Sequence, residues 1–350
     1  MPAPELSGPA AAPWAREAMY YERLSGGQVR CTLCPKFCRL SDRQVGACRV
    51  RYNDGGHLHT YTYGRNAVTA LDPVEKKPLY HFYPGSTLLS LGTVGCNFGC
   101  TFCQNWMISQ RLADTDELAP ESAVAMAAGH GDELCVGLCY TYTEPVIWYE
   151  YVLETAAQAQ AAGLRNVLKT NGYICRDPLT EWLPFIDAMN IDLKAFTEDY
   201  YQRICKGTLA PVMDTIAAAH EHGCHIELTT MLIPGENDDP AQMGRLAAWV
   251  ANISPDIPLH ISRYYPDYQM TSPPTGLGVL ERAREAAQDH LHYVYLGNVW
   301  GGVGTDTHCK HCRHLLIRRD GLTAVAEGLD ESARCRRCRQ ELPLTGRPVV

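Results

Sequence analysis

The sequence predicts an α/β fold in which a partial or complete (β/α) barrel carries a small cysteine-rich module at each end. Across residues 86–300, short apolar runs alternate with amphipathic stretches of helical length, which is typical of repeated βα units. Cysteine clusters flank this segment on both sides. Prolines, with their fixed φ and missing donor, stand where the helices should begin, at Pro120, Pro145, Pro178 and Pro240. An open, doubly wound parallel sheet is the competing architecture.

Seven barrel strands are expected, at residues 87–93, 134–140, 164–170, 188–193, 225–232, 258–262 and 292–296. The predicted organisation is a flexible tail (1–24), an N-terminal cysteine-rich module (25–85), the barrel (86–300) and a C-terminal zinc-ribbon-like or rubredoxin-like module (301–350). In such barrels the loops that follow the strands meet at one end, so chemistry is expected at the C-terminal ends of the strands.

The composition is that of an ordinary globular protein and argues against several function classes. The 350 residues include 31 Lys and Arg against 39 Asp and Glu, a net charge of -8. An acidic chain is poorly suited to coating nucleic acid or an anionic membrane, because both attract clustered positive charge. The sequence has no run of about 18 apolar residues and no signal-peptide pattern at its start, so a cytoplasmic protein is expected.

Cysteine is the most informative residue type. The chain has 16, a high density for a reducing compartment, where clustered cysteines usually hold metal. Eleven fall into three groups: Cys31, Cys34, Cys38 and Cys48; Cys96, Cys100 and Cys103; and Cys309, Cys312, Cys335 and Cys338. The others are assigned no role, because a free thiol is commonly a small buried hydrophobe: Cys135, Cys139, Cys175, Cys205 and Cys224.

The central group follows the first barrel strand as C-x3-C-x2-C, within GCNFGCTFCQN. Thiolates bind iron-sulfur clusters, and three cysteines leave the fourth iron of a cubane cluster without a protein ligand. An open metal position admits a small molecule, as it does in catalytic zinc sites. The triad therefore predicts a ligand-binding 4Fe-4S cluster at the C-terminal end of the barrel.

The triad, with Phe102 directly before Cys103, resembles the signature of radical S-adenosylmethionine (SAM) enzymes. Further segments resemble the pyruvate formate-lyase activating enzyme group and, within it, the AmmeMemoRadiSam branch most of all. These segments are DPVEKKPLYHFYPGS (72–86), YTYTEP (140–145), KTNGYI (169–174), NIDLKAF (190–196), LIPGENDD (232–239), HISRYYPDY (260–268) and VYLGN (294–298).

The resemblance implies a 4Fe-4S cluster on the three cysteines, with its fourth iron bound by the amino and carboxylate groups of SAM. An electron delivered to this cluster would cleave SAM to methionine and a 5'-deoxyadenosyl radical, which abstracts hydrogen from the substrate. Because such a cluster works at low potential, a reductant such as flavodoxin or ferredoxin is an expected partner.

The same resemblance implies a set of SAM contacts. Tyr142-Thr143-Glu144-Pro145 stands where relatives carry Gly-Gly-Glu-Pro, and Glu144 is expected to accept from the ammonium of SAM. Lys169 stands where the activating enzymes have an acidic residue, so that contact is not carried over. The expected SAM-binding residues are Phe102, Glu144, Asn171, Asp192, Lys194 and Arg263.

Two flanking metal sites are also expected. Cys309, Cys312, Cys335 and Cys338 have the spacing C-x2-C-x22-C-x2-C, which resembles a zinc ribbon or rubredoxin-like knuckle holding zinc or iron. A module this small cannot bury enough apolar surface alone, so a metal would supply its stability. Cys31, Cys34, Cys38 and Cys48 match neither common ferredoxin spacing, and both zinc and an auxiliary cluster stay open for them.

The main functional hypothesis is a radical SAM enzyme with an unidentified substrate, working with Memo-type and AMMECR-type partner proteins as the branch name implies. One alternative is an activase of glycyl-radical enzymes. An alternative of another class is a non-catalytic iron-sulfur binding or electron-transfer protein.

Overall fold

The structure, a computed structural model, describes residues 15–111, 113–299 and 301–348. Its strands are β1 (Arg16–Glu17), β2 (Tyr21–Arg23), β3 (Val29–Cys31), β4 (Arg39–Leu40), β5 (Arg51–Asp54), β6 (His57–Thr60), β7 (Arg65–Asn66), β8 (Val68–Pro73), β9 (Thr87–Gly92), β10 (Asp116–Glu117), β11 (Cys135–Tyr140), β12 (Arg165–Thr170), β13 (Ala188–Asp192), β14 (His225–Leu232), β15 (Leu259–Arg263), β16 (Val294–Gly297), β17 (Thr307–His308), β18 (Leu315–Asp320) and β19 (Thr323–Val325). Its helices are α1 (Trp106–Ser109), α2 (Pro120–Gly129), α3 (Tyr149–Ala161), α4 (Arg176–Trp182), α5 (Glu198–Tyr200), α6 (Ala210–His222), α7 (Pro240–Ile253) and α8 (Leu277–Gln288), with a π-helical turn at Tyr201–Cys205.

An eight-stranded sheet forms the body of the protein. Its strand order is β16-β15-β14-β13-β12-β11-β9-β8, and all neighbouring pairs are parallel except β8 with β9. Within the described ranges the two outermost strands do not pair with each other, so the sheet is a partial barrel. The predicted fold class is confirmed, and the seven predicted strands match β9 and β11 to β16 to within two residues at each end.

The N-terminal boundaries differ from the prediction. Strand β8 lies within the segment 25–85, which the sequence assigns to a separate module, but its backbone pairs along its whole length with β9 and extends the barrel sheet. Of the tail predicted over residues 1–24, residues 1–14 lie outside the described residues. The rest is not a tail, because β1 pairs with β6 and β2 pairs with β3.

Local sequence signals explain the helices that surround the sheet. Helix α7 begins at Pro240, and the side chain of Asp239 accepts hydrogen bonds from the first free backbone N–H groups, a cap that stabilises a helix by about 1 kcal/mol. Its apolar residues recur at helical spacing, so one face is buried in the main hydrophobic core: Met243, Leu246, Ala247 and Val250. Helix α2 begins at Pro120 as predicted, whereas Pro145 begins a short 3-10 turn that directly precedes α3.

The C-terminal module packs against the end of the barrel where the strands begin. Strands β17, β18 and β19 form its small antiparallel sheet. From β18, the buried Arg319 donates to the backbone oxygens of Tyr80 (2.8 Å) and Thr305 (3.0 Å). The backbone N–H of Tyr80 in turn donates to Glu227, near the start of β14. The module therefore covers the end of the barrel opposite the loops that follow the strands. No helix in the described ranges combines the length and apolarity needed to cross a membrane.

Candidate active site

A cavity of about 590 Å³ opens at the C-terminal ends of the barrel strands, within the size range of small-molecule sites. The cysteine triad lines it from the loop after β9. Residues 141–144 after β11, Asn171 after β12 and Asp192 at the end of β13 complete the adjoining walls. The loops that follow four neighbouring parallel strands thus meet where the barrel architecture places chemistry.

Backbone hydrogen bonds hold the triad loop in place. The N–H groups of Gly99 and Thr101 donate to the carbonyls of Cys205 and Ile204, the last residues of the π-helical turn. Gly95 has φ +93°, and a Cβ there would lie 2.6 Å from the carbonyl oxygen of Cys48. Any other residue at this position would therefore separate the loop from the N-terminal module.

The three thiols of the triad face different polar groups. The Sγ of Cys96 accepts from the backbone N–H of Phe98 (3.4 Å), and the Sγ of Cys103 lies 3.1 Å from the Oγ of Ser109. Burial raises the pKa of both thiols. The neighbouring thiol of Cys205 lowers the pKa of the Cys100 thiol. The sequence pattern predicts no role for Cys205, and only the fold brings it beside Cys100.

This donor set fits an iron-sulfur cluster. Three cysteine sulfurs line one cavity, and backbone and side-chain donors point at two of them. A cluster binds each cysteine to a different iron, so the sulfurs need not converge on a single point. Cys96, Cys100 and Cys103 would hold the cluster, and the rest of the cavity leaves room for a ligand beside it.

Glu144 is a buried carboxylate at the inner wall of the cavity. Its Oε1 accepts from Thr170 Oγ1 (2.7 Å) and from the Val146 N–H (3.1 Å), and its Oε2 accepts from the Asn171 N–H (2.8 Å). Burial raises the pKa of Glu144 to about 7, although these hydrogen bonds oppose the shift. Within the described part of the chain Oε2 accepts from one donor, so it keeps capacity for a ligand donor.

Asn171 connects Glu144 to the triad. Its backbone N–H binds Glu144, while its side-chain Nδ2 donates to Asn97 Oδ1 (2.8 Å) and lies 3.8 Å from the Sγ of Cys96. The loop after β12 thus contacts both the carboxylate and one cysteine of the triad. Glu144 and Asn171, both expected from the sequence to contact SAM, lie side by side in the cavity.

Asp192 lies between two lysines. Its carboxylate is 2.5 Å from the Nζ of Lys169 and 2.9 Å from the Nζ of Lys194. Burial favours the neutral form of Asp192, but the two lysines outweigh it and lower its pKa to about 2. Lys194 also lies 5.6 Å from the ring centre of Phe102. Lys169, at the position where the activating enzymes are acidic, here supplies a second positive charge.

Tyr142 keeps a glycine-like backbone at the position where the family motif has glycine. Its φ is +67°, a conformation that costs a non-glycine residue free energy. Its hydroxyl donates to Asp72 (2.6 Å), which also pairs with Lys77 (2.6 Å). Asp72 and Lys77 belong to the segment 72–86, and the sequence pattern alone predicts no role for either of them. The Tyr142 hydroxyl therefore anchors the loop after β11 to Asp72, near the end of β8.

Arg263 is not brought into the cavity, contrary to the sequence expectation. Its Nε donates to the carbonyl of Thr275 (2.8 Å), and its guanidinium lies over the ring of Tyr265. Ser262, one residue earlier on β15, lines the cavity instead, because successive side chains of a strand point to opposite faces. The other five expected SAM contacts, including Phe102, line the cavity.

The C-terminal cysteines form a compact site. The Sγ atoms of Cys309 and Cys338 are 3.5 Å apart, and those of Cys312 and Cys335 are 3.6 Å apart. All four lie within 4.8 Å of one another. A tetrahedral zinc with Zn–S bonds of about 2.3 Å places its sulfurs about 3.8 Å apart. The N-terminal four, Cys31, Cys34, Cys38 and Cys48, surround a separate small cavity on the other side of the triad loop.

Comparison with known proteins finds a family match, related sequences and a similar solved structure. Residues 90–247 match the model of the Radical SAM superfamily. An uncharacterised protein of Methanocaldococcus jannaschii, MJ0808, is 42% identical over 336 residues, covering 94% of this chain and 99% of that protein. The pyruvate formate-lyase-activating enzyme of Listeria monocytogenes is 24% identical over 173 residues, 45% of this chain and 67% of the enzyme. The structure of Streptococcus suis SuiB bound to S-adenosylmethionine has a TM-score of 0.49 at 12% identity, covering 68% of this chain and 56% of SuiB.

Proposed function

We propose that this chain, whose residues 90–247 match the Radical SAM superfamily, is an enzyme that cleaves SAM reductively to generate a radical for hydrogen abstraction. When bound, a 4Fe-4S cluster supplies the electron that splits SAM into methionine and the 5'-deoxyadenosyl radical. The observation that carries the proposal is the convergence of the triad on one cavity with Glu144, Asp192 and Lys194.

The charged residues of the cavity would each bind a group of SAM that has the opposite charge. The triad would ligate three irons and leave the fourth for the amino and carboxylate groups of SAM. Glu144, with spare acceptor capacity on Oε2, would accept from the amino group, as the resemblance implies. Lys194, held by Asp192, carries positive charge suited to the carboxylate. Phe102 contributes an apolar wall beside Lys194.

The proposal also concerns the substrate from which the radical abstracts hydrogen. The AmmeMemoRadiSam resemblance supports a substrate modified together with Memo-type and AMMECR-type proteins. The similarity to the Listeria activating enzyme favours a second candidate, formation of a glycyl radical on a partner enzyme. A glycyl electron-spin signal on a co-expressed partner would select the second candidate, whereas stable complexes with the branch partners would select the first.

Two accessory roles complete the proposal. A low-potential donor such as flavodoxin or ferredoxin would deliver the electron, because SAM cleavage requires a strongly reducing cluster. The compact C-terminal site would hold zinc, whose geometry fits the sulfur spacing. This zinc would stabilise the module that covers the far end of the barrel.

The test is anaerobic reconstitution with iron and sulfide, followed by dithionite and SAM, with 5'-deoxyadenosine measured by mass spectrometry. Wild-type protein is expected to form the product and Cys100→Ser is expected to form none. Cys224→Ser, a buried cysteine outside the site, serves as the matched control and should retain activity. A fully loaded, reducible wild type that forms no product would instead support the electron-transfer alternative.

A further inference from the structure

The four N-terminal cysteines surround one small cavity beneath the triad loop. Cys31, Cys34 and Cys48 are each 8% exposed, and the cavity is closed on other sides by apolar side chains such as Leu33 and Ile147. Every cysteine of the chain is a free thiol in this structure. The cavity is therefore a shielded space with four sulfur donors.

The spacing of these sulfurs differs from that of the C-terminal site in the same structure. Among the described residues, the C-terminal four are the group of potential metal ligands whose donor atoms all lie within 4.8 Å of one another. The sulfurs of the N-terminal four do not all lie within that distance of one another, and they surround a small cavity. A single zinc requires sulfurs about 3.8 Å apart, whereas a cubane cluster binds each thiolate at a different iron and fills the space between them.

A buried arginine gives a second, independent indication of a ligand. Arg51 lines the same cavity and is 1% exposed. Its two terminal nitrogens bind Glu150 and the carbonyl of Met19, but its Nε is buried and has no hydrogen-bond partner among the residues that the structure describes. A buried N–H without a partner is costly, and anionic cluster sulfurs would accept from it.

We propose that Cys31, Cys34, Cys38 and Cys48 bind a second 4Fe-4S cluster, with Arg51 Nε donating to one of its sulfurs. Four protein thiolates leave no iron open, so this cluster would exchange electrons and would not bind substrate. Asn97 lines this cavity and directly follows Cys96 of the triad. The second cluster would therefore lie beside the active-site loop. The inference does not depend on SAM cleavage.

The first experiment counts metals in the wild-type chain. Protein reconstituted anaerobically with iron and sulfide, and desalted, is expected to hold about eight iron, about eight sulfide and about one zinc. About four iron with about two zinc would overturn the inference, and so would about four iron with one zinc. This measurement needs no substitution, so misfolding of a variant cannot obscure it.

The second experiment isolates the new site. A variant with Cys96→Ala, Cys100→Ala and Cys103→Ala should retain about four iron, the brown cluster absorption and a paramagnetic signal after reduction. Adding Cys34→Ala should remove this iron, whereas adding the control Cys224→Ala should leave it unchanged. A triad variant that is soluble and zinc-loaded but free of iron would refute the second cluster.

Discussion

Replacement of Glu144 by glutamine tests the role assigned to the buried carboxylate. The substitution keeps the size of the side chain and removes its charge. The backbone N–H groups of Val146 and Asn171 and the hydroxyl of Thr170 surround the carboxylate oxygens, at 2.7 to 3.1 Å. The carbonyl oxygen of glutamine can still accept hydrogen bonds, but its NH2 group cannot. In the variant the NH2 group must therefore face one of these donors.

The expected loss of SAM affinity follows from the missing charged hydrogen-bond acceptor. A hydrogen bond to a charged group contributes about 1.5–3 kcal/mol, so the SAM Kd of Glu144→Gln should rise roughly 10- to 150-fold. Burial raises the pKa of Glu144 to about 7, so the carboxyl gains its charge only as the pH rises through that value. Wild-type SAM affinity should therefore increase between about pH 6 and about pH 8, and the variant should show no such increase.

The raised pKa of Glu144 also predicts how the stability of the ligand-free protein changes with pH. The folded pKa of about 7 exceeds the ordinary value of 4.5, so folding favours the protonated acid. Stability from this group is present below about pH 4.5 and is lost as the pH rises to about 7, by roughly 3 kcal/mol. Glu144→Gln should remove that part of the pH dependence in thermal unfolding of the cluster-free protein.

The assay is anaerobic calorimetric titration of cluster-loaded protein with SAM. Methylthioadenosine, which lacks the amino-acid group, is the control ligand, and its affinity should be the same in wild type and variant. If both proteins bind SAM equally and without pH dependence, Glu144 does not contact the ligand. If both ligands weaken together, the substitution has disturbed the cavity as a whole.

Three further perturbations test separate parts of the structure. Arg319→Ala should cost about 3–5 kcal/mol in thermal unfolding because it leaves Glu75 without its buried countercharge. Replacement of its exposed neighbour, Arg318→Ala, should cost much less, and equal losses would contradict the packing described. Asp192→Asn should cost about 2.5 kcal/mol, because two lysines lose their charged partner; in wild type this stability is present above about pH 4 and lost as the pH falls through about 2, which acid unfolding measures. Cys335→Ser should release about one zinc per chain and lower the melting temperature while the triad keeps its iron; retained zinc would place the metal elsewhere.

The sequence predicts the barrel well because its strands are short apolar runs whose periodicity is local. The antiparallel β8 was missed since its pairing with β9 depends on a tertiary contact and not on its own pattern. The tail was predicted too long for the same reason, because Arg16–Glu17 pairs with β6 across a long loop.

The candidate site was predictable where a motif carries the chemistry. Glu144 and Asn171 follow strands that end side by side, so a linear motif was sufficient to place them together. Arg263 could not be placed, since a shift of one residue along β15 exchanges the face that its side chain occupies. The positions of Cys205 and Lys169 in the site could not be predicted from the sequence. The π-helical turn brings Cys205 to the triad, and Lys169 pairs with Asp192 on the neighbouring strand.

Electron paramagnetic resonance of the reduced protein, recorded with and without SAM, tests whether the triad cluster binds SAM. SAM should change the signal of this cluster, because its open iron accepts the ligand. A variant carrying Cys31→Ala and Cys34→Ala removes overlap from any second cluster. A triad signal that stays unchanged at saturating SAM would show that the cluster does not bind SAM.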